Sequence, residues 1–96
     1  MAAYLIADSN VTDPERYAEY RKLSSLAIAA YGAEICVRGG AVTPLEGGWE
    51  PSRIVVLKFP SIEKARAFYA SAEYGRARQA REGAAVMRMI AVEGTD

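Results

Sequence analysis

The sequence predicts an α+β domain: a four-stranded antiparallel sheet with its helices on one face, the elements running in the order βαββαβ. Three observations carry this. Four short segments rich in Val, Ile, Leu or Met alternate with two segments of helical spacing that begin at recognisable caps. The chain has 96 residues, the size of a single domain, and contains no repeat, linker or low-complexity tract. The strands carry apolar residues on both faces, so helices on one face leave a second apolar face to be covered.

Ala3 to Asp8 (AYLIAD) is a short apolar run and reads as a strand. A helix starts within V-T-D-P-E. Thr12 and Glu15 have capping-box spacing, while Asp13-Pro14 offers the other register, a cap followed by proline at the first helical position. This helix runs to about Tyr31, with Tyr20, Leu23, Ala27 and Ala30 as its buried stripe and Gly32 at the position where φ turns positive.

Glu34 to Arg38 (EICVR) is the second strand. Counting by twos puts Ile35 and Val37 on one face and Glu34, Cys36 and Arg38 on the other. Gly39-Gly40 suggests a bulge, with Ala41 to Leu45 continuing the strand beyond it. Gly47-Gly48 and Pro51 then mark a loop carrying Trp49.

Arg53 to Phe59 (RIVVLKF) is the third strand. Ser61 caps a second helix with Ile62, Ala65, Phe68 and Tyr69 facing inward, Ser71 breaks and recaps it, and the piece that follows ends at Gly83. Val86 to Val92 (VMRMIAV) is the last strand. The arrangement is ferredoxin-like. Ile54 and Val56 oppose Val55 and Leu57 across the sheet, and Met87 and Met89 oppose Ile90 and Val92. Packing two such sheets face to face hides the uncovered side, so the sequence predicts a homodimer of the α/β-barrel type.

Composition narrows the chemistry. There is no histidine, which excludes His-based triads, His metal sites and His acid–base catalysis. No metal-ligand spacing, phosphate loop or dinucleotide fingerprint appears, so neither metal nor cofactor is expected. The formal net charge is zero, which gives no general pull toward nucleic acid or an anionic membrane, and neither is expected as a partner. No apolar run approaches the roughly 20 residues of a membrane span. Residues 1 to 9 lack the basic and apolar regions of a signal peptide, and Cys36 is a single cysteine; a cytoplasmic home is expected.

The segments Y-L-I-A, T-D-P-E-x-Y-x-x-Y, V-R-G-G, G-x-W-x-P-x-R, F-P-S, A-x-x-F-Y-x-S-x-E-Y and the late V-E-G occur in order along nearly the whole chain. Together they resemble the domain of unknown function 1330 family, small bacterial proteins of the dimeric α/β-barrel superfamily. The resemblance implies the fold and the dimer. It implies no activity, since the family has none established. The wider superfamily includes cofactor-free monooxygenases, muconolactone-type isomerases, haem-degrading enzymes and stress-induced proteins, whose ligands sit in a cleft between the sheet and nearby loops and helices.

Several residues are candidates for such a site. Arg38, beside Gly39, can clamp a substrate carboxylate, with the glycine allowing close approach; otherwise it is a solvent-exposed or ion-paired edge residue, with Glu34 a possible partner. Arg53 can join it, or simply flank a loop. Trp49 can cover the cleft or pack on a second protomer. Tyr74 follows the Ser71 break, where free N–H groups can meet an anion or simply be capped. Asp8 at a strand end is a candidate general base, or a turn former. Cys36 is more simply a small buried apolar residue than a nucleophile. The function these point to is binding, or cofactor-free isomerisation, of a small organic acid or aromatic metabolite. The alternative is a non-catalytic structural or stress-related homodimer.

Overall fold

A computed structural model describes all residues, 1–96. The elements are β1 (Ala3–Val11), α1 (Pro14–Ala30), β2 (Glu34–Arg38), β3 (Ile54–Phe59), α2 (Ile62–Ala70), α3 (Ala72–Ala80) and β4 (Ala85–Glu93). They form one antiparallel sheet in the order β2-β3-β1-β4, with the helices on one face. The expected α+β, ferredoxin-like class is the observed one. β1 runs three residues past Asp8, because β4 pairs with it as far as Val11–Ala85.

Caps settle the helix boundaries. Of the two registers the sequence offers for α1, the structure takes the second: Asp13 accepts the Arg16 N–H at 3.3 Å and Pro14 begins the helix. The buried positions of α1 are Tyr17, Tyr20, Ser24 and Ala27. Ala30, expected inward, is exposed, since the helix stops where Gly32 turns the chain at φ 66°. Ser71 separates α2 from α3 with one hydroxyl. It donates to the Phe68 carbonyl at 2.7 Å and accepts the Tyr74 N–H at 3.1 Å, ending one helix and starting the next. The break carries Tyr74 into the core. Tyr69, expected inside, is partly exposed, and its hydroxyl accepts from Arg78.

The core lies between the sheet and the helices. Leu5, Ala7, Leu57 and Phe59 project from the strands against Tyr17, Tyr20, Phe68 and Tyr74. The aromatic rings interlock, with Phe68 at 5.3 Å from Phe59 and 4.6 Å from Tyr74, which favours one packing arrangement over many. Opposite this helix face is an open face made of Tyr4, Ile6, Ile54, Val56, Ile90 and Val92.

Two strand-level expectations are corrected. Ala41 to Leu45 do not continue β2: Gly39 turns the chain at φ 72°, its N–H donates the last bond to the Ile54 carbonyl at 2.8 Å, and residues 40–53 form an irregular, mostly exposed loop. The bulge therefore lies not at the glycines but earlier, between Ile35 and Val37. Ile35 pairs with Leu57, Val37 with Val56 and Arg38 with Val55, so Cys36 is the extra residue. Partners across an antiparallel ladder share a face. Arg38 thus joins Ile35 on the helix face, and Val37 moves to the open face, against the count by twos.

Candidate functional site

That shift of phase assembles a site. Arg38 ends β2 and Arg53 immediately precedes β3, and both point to the helix face beside α1. A cavity of about 50 Å³ lies there between α1 and the sheet. Its body is apolar, formed by Leu5, Ala7, Ile28, Val55, Phe68 and Met89 among others. Its polar rim is Arg21, Ser24, Ser25, Arg38 and Arg53.

Each guanidinium has a defined position. The Arg38 Nη2 donates to Ser25 Oγ at 3.2 Å, and Ser25 in turn donates to the Arg21 carbonyl at 2.8 Å. The Arg53 Nη1 donates to the Tyr17 hydroxyl at 3.3 Å, which shares a 3.2 Å hydrogen bond with the fully buried Ser9. Arg53 also lies 5.9 Å from the centre of the Tyr17 ring. Gly39 makes room for this: a Cβ there would stand 2.8 Å from the Arg53 Nε. Any larger residue here would push the Arg53 side chain aside and strain a backbone whose φ is positive.

The chain forms two ion pairs, Lys58–Asp96 at 3.2 Å and Arg88–Asp8 at 3.0 Å. Neither involves Arg21, Arg38 or Arg53, and the lining of the cavity contains no carboxylate. The site is therefore a set of hydrogen-bond donors around an apolar void, with positive charge that the protein leaves without a carboxylate partner. A carboxylate entering it would gain charge-assisted, potentially bidentate bonds.

Further in, the Tyr20 and Tyr74 hydroxyls meet at 2.8 Å. Burial first, and then the neighbouring Tyr74, push the Tyr20 phenol well above its ordinary value; burial also raises Tyr74. Both stay protonated at neutral pH; one donates to the other, and neither serves as a base.

The sequence candidates divide between two places. Arg38, Gly39 and Arg53 come together at the rim, and Tyr74 lines the cavity with its N–H already taken by Ser71. Asp8 and Trp49 lie elsewhere. Asp8 is on the open face, held by Arg88, and Trp49 lies beside it at the edge of that face. The expected Arg38–Glu34 pair does not form, because the two residues face opposite sides of the sheet. Cys36, expected buried, is exposed on the bulge.

Sequence reasoning missed Ser9, Tyr17, Arg21 and Ser25. A signal existed. Ser9 continues the buried alternation Ala3, Leu5, Ala7 of β1, and Tyr17, Arg21 and Ser25 are spaced by four along one ridge of α1.

No curated protein matches the chain. Among solved structures, the RPA0582 protein of unknown function from Rhodopseudomonas palustris is similar at a TM-score of 0.77 and 18% identity, over 99% of this chain and 83% of that one. A dimeric protein of unknown function and ferredoxin-like fold from Bacteroides fragilis is similar at 0.65 and 9% identity, over 97% and 96%. SnoaB, a cofactor-independent oxygenase from Streptomyces nogalater, is similar at 0.61 and 9% identity, over 99% and 94%. These likenesses show the fold. The model of the domain of unknown function DUF1330 matches residues 2–95, so the chain belongs to that family.

Proposed function

We propose that this DUF1330 domain binds a small organic carboxylate in the cleft between α1 and the sheet, with Arg38 and Arg53 holding the acid group. One observation carries the reading: two guanidiniums without carboxylate partners stand together at the rim of an apolar cavity. The cavity's size favours a compact acid over a polycyclic aromatic, since pockets for drug-sized ligands are several hundred Å³.

Binding is better supported than proton-transfer catalysis. The cavity offers phenols and guanidiniums but no group able to accept a proton at neutral pH, and Asp8 lies across the sheet. A screen of short-chain monocarboxylates by calorimetry tests the site. Arg53→Ala should weaken a bound acid about tenfold to a hundredfold, the worth of one lost charged hydrogen bond. Acids that bind wild type and Arg53→Ala equally, or no binding by any acid, would sink the proposal.

The domain works as a homodimer in the same reading, joined through the open face. Val86, Ile90 and Val92 are exposed there, Ile90 by 62%, and the Bacteroides fragilis neighbour is dimeric. Ile90→Glu should convert the dimer to monomer in sedimentation velocity. A wild-type chain that sediments as a monomer at micromolar concentration would refute this part alone.

A further inference from the structure

The cavity has a neighbour on its far side. A wider groove of about 480 Å³ opens between α2 and β4, and Arg66, Tyr69 and Arg81 line it. Leu5, Met87 and Met89 line both spaces, so these side chains are the wall between them. Two of the three are unbranched thioethers on an edge strand, each only partly buried. Methionine is the apolar side chain best able to change rotamer without leaving a strained core.

The groove repeats the chemistry of the first rim. Its floor is apolar, and neither Arg66 nor Arg81 belongs to an ion pair. Arg81 is held in place, at 5.5 Å from the centre of the Tyr20 ring, which itself lines the inner cavity. Two rims bearing unpaired guanidiniums therefore flank one shared apolar wall, in which Met87 is tied to Arg81 and Met89 has no such contact.

Resting on the carboxylate reading above, we propose that the site continues from the compact inner cavity past Met89 into the wider groove, and that its ligand is an elongated organic dianion. One acid group sits at Arg38 and Arg53, the chain or ring lies along the apolar path, and the second acid group reaches Arg66 and Arg81.

The test is a calorimetric series of α,ω-dicarboxylates from three to ten carbons, each compared with the monocarboxylate of equal length. Above a threshold length, the dicarboxylate should bind about tenfold tighter than its monocarboxylate partner. Arg81→Gln should abolish that advantage and leave monocarboxylate affinity unchanged. Arg66→Ala, at an exposed helix position, should reduce it in the same way and guards against a folding defect in the first variant. Met89→Phe, which thickens the partition, should weaken long dicarboxylates more than short acids. Monocarboxylates that bind with no gain from a second acid group at any length would overturn the through-site and leave the primary site standing. Loss of monocarboxylate binding in Arg81→Gln, with the fold intact by circular dichroism, would overturn it as well. No binding by any acid would remove both.

Discussion

The two faces of this sheet treat charge in opposite ways. On the open face each cation near the sheet has a carboxylate: Arg88 holds Asp8, and Lys58 holds Asp96 across the ring of Tyr4. The remainder of that face is aliphatic, with Ile6, Ile54, Val56, Ile90 and Val92. On the helix face Arg38 and Arg53 donate to the hydroxyls of Ser25 and Tyr17, and neither they nor Arg21 pair with a carboxylate. A surface whose cations are neutralised internally suits an apolar partner better than one that leaves them unpaired. A cleft whose charges are left positive suits an anion. One sheet is thus prepared for two different kinds of association, and the alternation of side chains along each strand keeps them apart.

The largest effect that can break this comparison is Phe68→Ala. Phe68 is almost fully buried among Phe59, Tyr31 and Tyr74, and its loss should cost about 3–5 kcal/mol in urea denaturation. The shift in midpoint should be the same at every protein concentration. Ile90→Ala should instead shift the midpoint more at high concentration, where association contributes to stability. If both variants behave alike, the faces are not functionally distinct.

Alkaline pH probes the buried phenols next. Tyr20 and Tyr74 have raised pKa values in the folded chain, chiefly through burial, whereas unfolded tyrosine titrates near 10.0. A group raised on folding gives stability that is complete below the unfolded value and is lost above it. Stability should therefore fall as pH rises beyond about 10, and Tyr20→Phe should flatten that fall in denaturation curves taken from pH 8 to 11. An unchanged slope in the variant would refute the assignment.

Gly39→Ala should have the smallest effect on the fold and a selective one on the site. The left-handed backbone and the approach to Arg53 together predict a cost of about 1–2 kcal/mol. Carboxylate affinity should drop as well, because the added methyl displaces the guanidinium. The open face should not respond, so the sedimentation behaviour should match wild type.

Much of this was legible in the sequence. The four strands, the capped helices and the Ser71 break follow from period, caps and punctuation, all of them local signals. The site was half legible. Arg38 and Arg53 could be named from their positions at strand ends, but their meeting on one face could not, because it depends on the bulge at Cys36. No residue type announces that bulge; it exists because β3 fixes the pairing of Ile35 with Leu57 and of Arg38 with Val55. Asp8 was attractive for the opposite reason. Its strand position was right, and its phase, read against the buried Ala7 and Ser9, sends it to the other face.

The Gly39–Ile54 bond has a consequence for how such a domain can diversify. It closes the neck of the loop just where both arginines stand, and the Arg53 carbonyl accepts the Ser9 N–H at 2.9 Å, so the loop between residues 40 and 52 bears no part of the sheet's pairing. Lengthening a loop whose neck is already tied costs only a slowly growing entropy, about 0.6 kcal/mol per doubling. Val42, Leu45 and Trp49 are exposed along it, Leu45 by 92%. Insertions between residues 41 and 50 would leave the guanidiniums where they are while adding surface beside them. The neck separates what holds the arginines in place from what is free to vary, and a lineage could rewrite the loop without refolding the sheet.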